Sequence, residues 1–352
     1  MADLYFTGTA GSGKTAIVLG LALFLKEQGV RPGYFKPVGN PPGATGIEDR
    51  DTILMREVLK LPLEGREVAP LALGGYYISN YKDPEHCRRL IKEAYAKTRE
   101  GVDAVLIDGG AEPWAMATFG LDALSLSKEF GAAMVYVIRP LNDRSLDEVV
   151  FLARSAVERQ VHFAGVIFNN VPRTLLAKTE GLYREIIAAQ GVETLGVIPS
   201  QTEISAPTVA EYHEALGGDI LTGEDHLTNI VEDVLIGAMT IESAIAYFRR
   251  SANKAVVTGG DRADIALAAL ETDTSVLILT GGLYPNVKVI AQAQDKGVPV
   301  ILVTYDTYHA IERLAKVSRV IRPDDTRAVT LARESVTLHC NLDKIIDLVR
   351  GE

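Results

Sequence analysis

Short apolar runs alternate with helically spaced stretches from the first residues to about residue 200. That rhythm predicts a parallel sheet covered by helices. The runs mark strands at 4–7, 33–38, 104–108, 133–138, 163–168 and 194–198. Helical spacing fills 13–28, 50–60, 84–99, 120–130, 145–160 and 174–189. Val135-Tyr136-Val137-Ile138 is apolar without alternation, as expected of a strand buried on both faces.

After Pro199 the rhythm resumes with a helix over Thr208 to Leu216 and the pair Gly217-Gly218. Apolar runs at 230–236, 255–258, 276–280 and 299–303 are separated by helical stretches at 242–250, 261–270, 287–297 and 306–316, which predicts a second α/β unit. The last stretch, Asp324 to Val349, carries Ala328, Leu331, Ala332, Leu342, Ile345, Ile346 and Val349 at helical spacing. It is expected to pack back on the second unit or on a partner chain. No low-complexity segment or repeat interrupts this order.

Between the first strand and the first helix, residues 8–15 read GTAGSGKT, a complete phosphate-binding loop in the strand-to-helix context that motif requires. Gly8, Gly11 and Gly13 let the backbone wrap a phosphate, and the N–H groups of the loop, Ser12 included, turn inward. The helix starting near Gly13 adds its positive dipole end. Lys14 is expected to reach the terminal phosphates as a point charge, and the Thr15 hydroxyl to be a magnesium ligand. The bland alternative is a glycine-rich turn that binds nothing.

The 352 residues suffice for roughly two domains. Lys and Arg number 36 against 46 Asp and Glu, a net charge of −10, which argues against nucleic acid or anionic membrane as a general partner. No apolar run approaches the ~20 residues of a membrane span. Cys87 and Cys340 are far apart, without a C-x-x-C pair or a leader, so a reducing cytoplasm and no disulfide are expected. Each follows a histidine, His86 and His339, and a split metal site there competes with coincidence.

Chemistry beyond phosphate binding needs carboxylates for a metal and further positive charge near the terminal phosphate. In an open parallel sheet those groups belong at the carboxyl ends of strands. Asp108 closes the run Ala104-Val105-Leu106-Ile107 and precedes Gly109-Gly110, which suits a metal role or a helix N-cap. Lys36, in Gly33-Tyr34-Phe35-Lys36-Pro37-Val38, needs an anionic partner at a buried strand mouth, unless it snorkels to solvent. Asp51 follows the loop Asn40 to Arg50 and is either a metal ligand or an acid favoured by a helix dipole. Asn169, ending Gly165-Val166-Ile167-Phe168-Asn169-Asn170, suits a base edge such as that of adenine, or equally a turn.

With these residues in place, the first ~200 residues resemble the dethiobiotin synthetase group of phosphate-loop proteins. The likeness lies in GTAGSGKT, YFKPV, DRDTILM, LIDGGAE, VIFNNV and LGVIP, in that order. The resemblance implies that Lys14 and Lys36 contact phosphate or a substrate anion, that Thr15, Asp51 and Asp108 form the magnesium site, and that Asn169 contacts adenine of ATP. Where that group carries a Ser-Pro-His stretch for its diamino acid, this chain has APLALGGYYISNYKDPEH, so biotin synthesis is not expected.

Residues from about 195 to 320, with IPSQTEISAPTVAEYHEAL, VVTGGDR at 256–262 and ILTGG at 278–282, resemble a DRTGG domain. Gly259, Gly260, Asp261 and Arg262, and Gly281 and Gly282, sit at strand-to-helix junctions that hold an anion or simply turn tightly. The two modules in this order look like the N-terminal regulatory half of long phosphotransacetylases. The fold expected is α/β, a P-loop NTPase-type parallel sheet flanked by helices, followed by a smaller DRTGG-like α/β domain. Its expected bounds are 1–205 and 206–322, with a helical extension over 323–352.

Because the sequence ends at Glu352, the acetyl-transferring half, and with it phosphotransacetylase activity, is expected to be absent. Two functions follow from the resemblance. One is a magnesium- and ATP-binding regulator, a cytoplasmic homodimer that senses a ligand and acts on a separate acetate-metabolism enzyme. The other is an ATP-dependent ligase of the dethiobiotin synthetase type that phosphorylates a carboxylate or carbamate.

Overall fold

The computed structural model describes residues 1–39, 48–74, 77–110, 112–317 and 319–351. Most of the loop from Asn40 to Arg50 therefore lies outside the described residues. The chain divides into two compact units, Met1–Ser200 with Ile321–Glu352, and Gln201–Val320.

The first unit is built on six parallel strands in the order β2-β5-β1-β6-β7-β8. They are β1 (Leu4–Gly8), β2 (Pro32–Phe35), β5 (Ala104–Asp108), β6 (Ala133–Ile138), β7 (Phe163–Val171) and β8 (Thr194–Pro199). β3 (Val38–Gly39) and β4 (Leu71–Ala72) pair in a small parallel sheet of their own, so the expected second strand over 33–38 breaks after Phe35. The central strands are buried on both faces, which is why their runs lack alternation.

β1 lies between β5 and β6, with Phe6 opposite Asp108 and Gly8 opposite Val137. The strand order turns about β1, and the crevice at its carboxyl end is where open α/β sheets bind ligands. The expected helix over 174–189 forms with a π turn at Thr179–Tyr183, between Arg173–Lys178 and Arg184–Ala188.

Helix α1 (Lys14–Glu27) is apolar almost throughout because it is buried on more than one side. Its second neighbour is the helix Thr326–His339, which corrects the expectation that the last stretch packs on the second unit or a partner chain. A Cβ on Gly20 of α1 would lie 2.4 Å from the Ala332 carbonyl oxygen and 2.8 Å from Val336 Cγ2. The Asn341 N–H donates to the Leu195 carbonyl at 2.7 Å, and Cys340 bridges to Gly196, so the returning segment also meets β8. The helix Leu342–Arg350 follows, and the Ala2 N–H donates to the Val349 carbonyl at 2.7 Å. Helical spacing reveals an apolar face, not the surface it meets. Gly20→Leu is expected to destabilise the first unit by about 1–3 kcal/mol through overpacking, read as a lower urea midpoint.

The second unit has five strands in the order β10-β11-β12-β13-β9. β10 (Asp233–Ile236), β11 (Lys254–Gly259), β12 (Thr274–Thr280) and β13 (Val300–Leu302) are parallel, and β9 (Asp219–Thr222) runs antiparallel at the edge beside β13. β9 went unseen in the sequence because four partly exposed residues, DILT, carry no period. At the glycine junctions, the N–H groups of Gly260, Gly281 and Gly282 donate to the carbonyls of Thr280, Tyr305 and Val303 at 3.1, 2.9 and 2.9 Å. Arg262 forks onto Asp264 at 3.0 and 3.1 Å. Those three N–H donors are spent on carbonyls at or just past the ends of neighbouring strands.

Among the described residues, no helix is long and apolar enough to cross a membrane. Cys87 is buried and Cys340 partly buried, both as free thiols.

Candidate functional site

The phosphate loop joins the end of β1 to α1 at the centre of the sheet. Two backbone requirements explain its glycines. A Cβ at Gly8 would stand 2.1 Å from the Val137 carbonyl oxygen, which belongs to the neighbouring strand and cannot yield. Gly13 has φ +80°, and a Cβ there would meet Asn169 Nδ2 at 2.3 Å. Gly11 shares the left-handed φ, at +72°.

Lys14 folds back over the start of the loop, its ammonium donating to the carbonyls of Gly8 at 3.1 Å and Thr9 at 3.0 Å. Burial pushes its pKa below the ordinary lysine value, although Asp108 opposes that shift. Two neutral carbonyls do not offset that burial cost, and an anion brought alongside the ammonium would favour its charged form.

The Thr15 hydroxyl donates to Asp108 Oδ2 at 3.0 Å, and the Tyr34 hydroxyl donates to the same oxygen at 3.1 Å. Asp108 is 1% exposed, and its Oδ1 has no hydrogen-bond partner among the described residues. Burial raises the Asp108 pKa above the usual carboxylate range against the pull of Lys36. An unpaired buried carboxylate oxygen is costly, and it is what a cation would satisfy.

Lys36 follows β2 directly and is 5% exposed. Its ammonium contacts Asp51, lies 3.2 Å from Asp49 and 4.0 Å from Asp108. Burial works against its charge, but Asp51, Asp108 and Asp49 together hold its pKa above that of an ordinary lysine. Burial likewise raises Asp51, while the charge and hydrogen bond of Lys36 outweigh it and leave that carboxyl below its usual range. Asp51 lies in the first turn of α2 (Arg50–Leu59), whose N-cap Asp49 accepts from the Thr52 N–H at 3.0 Å. The snorkelling alternative for Lys36 does not apply.

Asn169 is buried, and its amide donates to the Ser12 carbonyl at 2.8 Å, bracing the loop from β7. Ser12 is fully buried, with an Oγ that has no partner among the described residues.

The structure thus brings Lys14, Thr15, Lys36, Asp51 and Asp108 to one strand mouth, with Gly8, Gly11, Ser12, Gly13 and Asn169 forming or bracing the loop. Sequence reasoning missed Tyr34, Asp49 and Glu112. Tyr34 stands two residues before Lys36 on an extended segment, which puts the two on one face without naming a partner; Asp49, the N-cap of α2, had no such spacing signal. Glu112 had none. Its Oε1 accepts from the Ala10 N–H at 3.4 Å. Among the described residues no three His, Cys, Asp or Glu side chains converge into a metal cage, since the acids here are gathered around ammonium groups.

Comparison with known proteins places the sequence profile of the AAA domain on residues 3–208 and that of the DRTGG domain on residues 211–317. A phosphate acetyltransferase of Pseudomonas putida is 28% identical, over 94% of this chain and 49% of the relative. That of Nitratidesulfovibrio vulgaris is 26% identical, over 94% of this chain and 49% of the relative. The chain spans about half the length of these curated relatives. Among solved structures, the septum site-determining protein MinD of Pyrococcus horikoshii, complexed with Mg-ADP, matches at 17% identity and a TM-score of 0.37, covering 58% of this chain and 84% of that one.

Proposed function

We propose, for a chain that belongs to the AAA domain family through residues 3–208 and continues into a DRTGG domain, that it binds magnesium ATP and acts as a nucleotide- and ligand-sensing regulator. A dethiobiotin synthetase-like phosphate-loop domain followed by a DRTGG domain is the order of the N-terminal half of long phosphotransacetylases. On this reading a cytoplasmic homodimer answers to nucleotide in the first unit and to a ligand in the second, and a separate acetate-metabolism enzyme responds.

The observation that carries the proposal is the contact of Thr15 with a buried Asp108 that keeps one carboxylate oxygen unpaired, beside Lys14 on the loop. That donor set fits magnesium, which takes few carboxylates and completes its shell with water and phosphate oxygens. Thr15, Asp108 and Asp51 would hold it, and its charge would offset that of the phosphates. Lys14 would leave the Gly8 and Thr9 carbonyls for the terminal phosphates. Lys36 stands behind as a second ammonium, and the rest of the Asn169 amide is offered to adenine.

The ATP-dependent ligase reading is favoured by Lys36 specifically. An ammonium kept charged by three carboxylates is suited to steering a substrate oxyanion toward a γ-phosphate while Lys14 neutralises the charge that builds there.

Magnesium ATP at 100 times its Kd should stabilise the chain by about 2.7 kcal/mol, visible as a higher melting temperature. Absence of that shift would end both readings. If binding occurs without turnover against any carboxylate or amine offered, the regulator is favoured. Turnover that Lys36→Met removes while binding persists favours the ligase.

A further inference from the structure

We infer that Glu112 sets the preference of the phosphate loop between nucleoside di- and triphosphates, an inference that rests on the nucleotide reading above. The Lys14 ammonium lies on the carbonyls of Gly8 and Thr9, at the start of the loop. Because that lysine serves the β and γ phosphates, the terminal phosphate belongs at this end, beside the next N–H, that of Ala10. Glu112 already holds that N–H through its Oε1, at 3.4 Å. Its Oε2 is buried without a hydrogen-bond partner among the described residues. The Glu112 charge also reaches the Lys14 ammonium.

A carboxylate therefore occupies a donor that a γ-phosphate oxygen would take, and two anions cannot share it at close range. A diphosphate, cradled by the helix end of the loop, leaves the contact in place. A triphosphate displaces it. Release costs little at the long Ala10 bond and relieves an unpaired buried oxygen, so the displaced state is within reach. The segment that must move carries Trp114, the sole tryptophan of the chain, 65% exposed. The third phosphate is thereby registered at the protein surface.

The test titrates the full chain with magnesium ADP and with the magnesium complex of the β,γ-imido analogue of ATP, following Trp114 fluorescence and measuring both dissociation constants by calorimetry. Trp114 in the unaltered chain should respond to the triphosphate and not to the diphosphate. Glu112→Gln, which keeps the shape and removes the charge, should tighten triphosphate binding by about tenfold, within the range of ordinary site coupling, and leave diphosphate binding within about twofold. Glu112→Ala should act in the same direction. Equal Trp114 responses to the two nucleotides, or equal changes in both constants, overturn the inference while leaving the nucleotide reading intact. Failure of both nucleotides to bind the unaltered chain overturns that reading, and the inference with it.

Discussion

Replacing Lys36 by alanine is expected to destabilise the first unit by about 3–5 kcal/mol, because removing one partner from a buried ion cluster leaves the others uncompensated. Asp49 and Asp108 would remain buried with no ammonium between them. The loss is read by urea unfolding followed through circular dichroism, and its pH dependence identifies the cause. The folded pKa of Lys36 is raised, so its contribution is fully present below the unfolded lysine value and fades only as pH climbs through the folded one. Asp51 is held low, and its contribution is present above the unfolded carboxylate value and lost as acid passes the folded one. Asp108 is raised and has the opposite sign, opposing folding near neutrality and relaxing as it protonates. Without Lys36, Asp51 should behave like Asp108. The gap between Lys36→Ala and the unaltered chain should therefore narrow as pH falls from 7 toward 5. A gap that stays constant would assign Lys36 to packing instead.

The other loop-facing lysine should behave in the reverse manner. Burial depresses Lys14, so its charge opposes folding at neutral pH, and the cost is relieved as pH rises from the folded value toward the unfolded one. Lys14→Met keeps the buried stem and removes that charge. The ligand-free variant should be at least as stable as the unaltered chain. Nucleotide affinity should nevertheless fall by about 10- to 150-fold, the loss of a charge-assisted hydrogen bond of about 1.5–3 kcal/mol. Thermal melts with and without magnesium ATP measure both effects. A variant that lost stability and kept its ligand response would contradict this assignment. Stability given up at a binding site and recovered on binding is a common trade in proteins.

Much of this was legible in the sequence for one physical reason. Strands of a parallel sheet read as unbroken apolar runs, and their carboxyl ends are where ligand-facing side chains collect. Asp108 and Lys36 were found by that rule, and the loop by its glycines. Partnerships were less accessible. Nothing local to Tyr34 indicates that its hydroxyl will meet Asp108 across the β2–β5 pairing. Asn169 has the chemistry of a base contact, and only the fold revealed that one amide hydrogen is spent on Ser12. Glu112 meets the Ala10 N–H from 102 residues away in sequence, a pairing no local pattern announces.

The last helices show the same limit, since their apolar stripe fitted any apolar surface. Their docking on α1 and β8 means that residues 201–320 are an insertion within a unit whose own last secondary structure is supplied from beyond it. A fragment cut at residue 208, where the sequence likeness to the AAA domain ends, would contain the whole phosphate loop and still leave bare the groove along α1. Such a product should be sticky and short-lived. A graft that excises 201–320 and joins Ser200 to Ile321 through a flexible linker would be the smaller piece that folds.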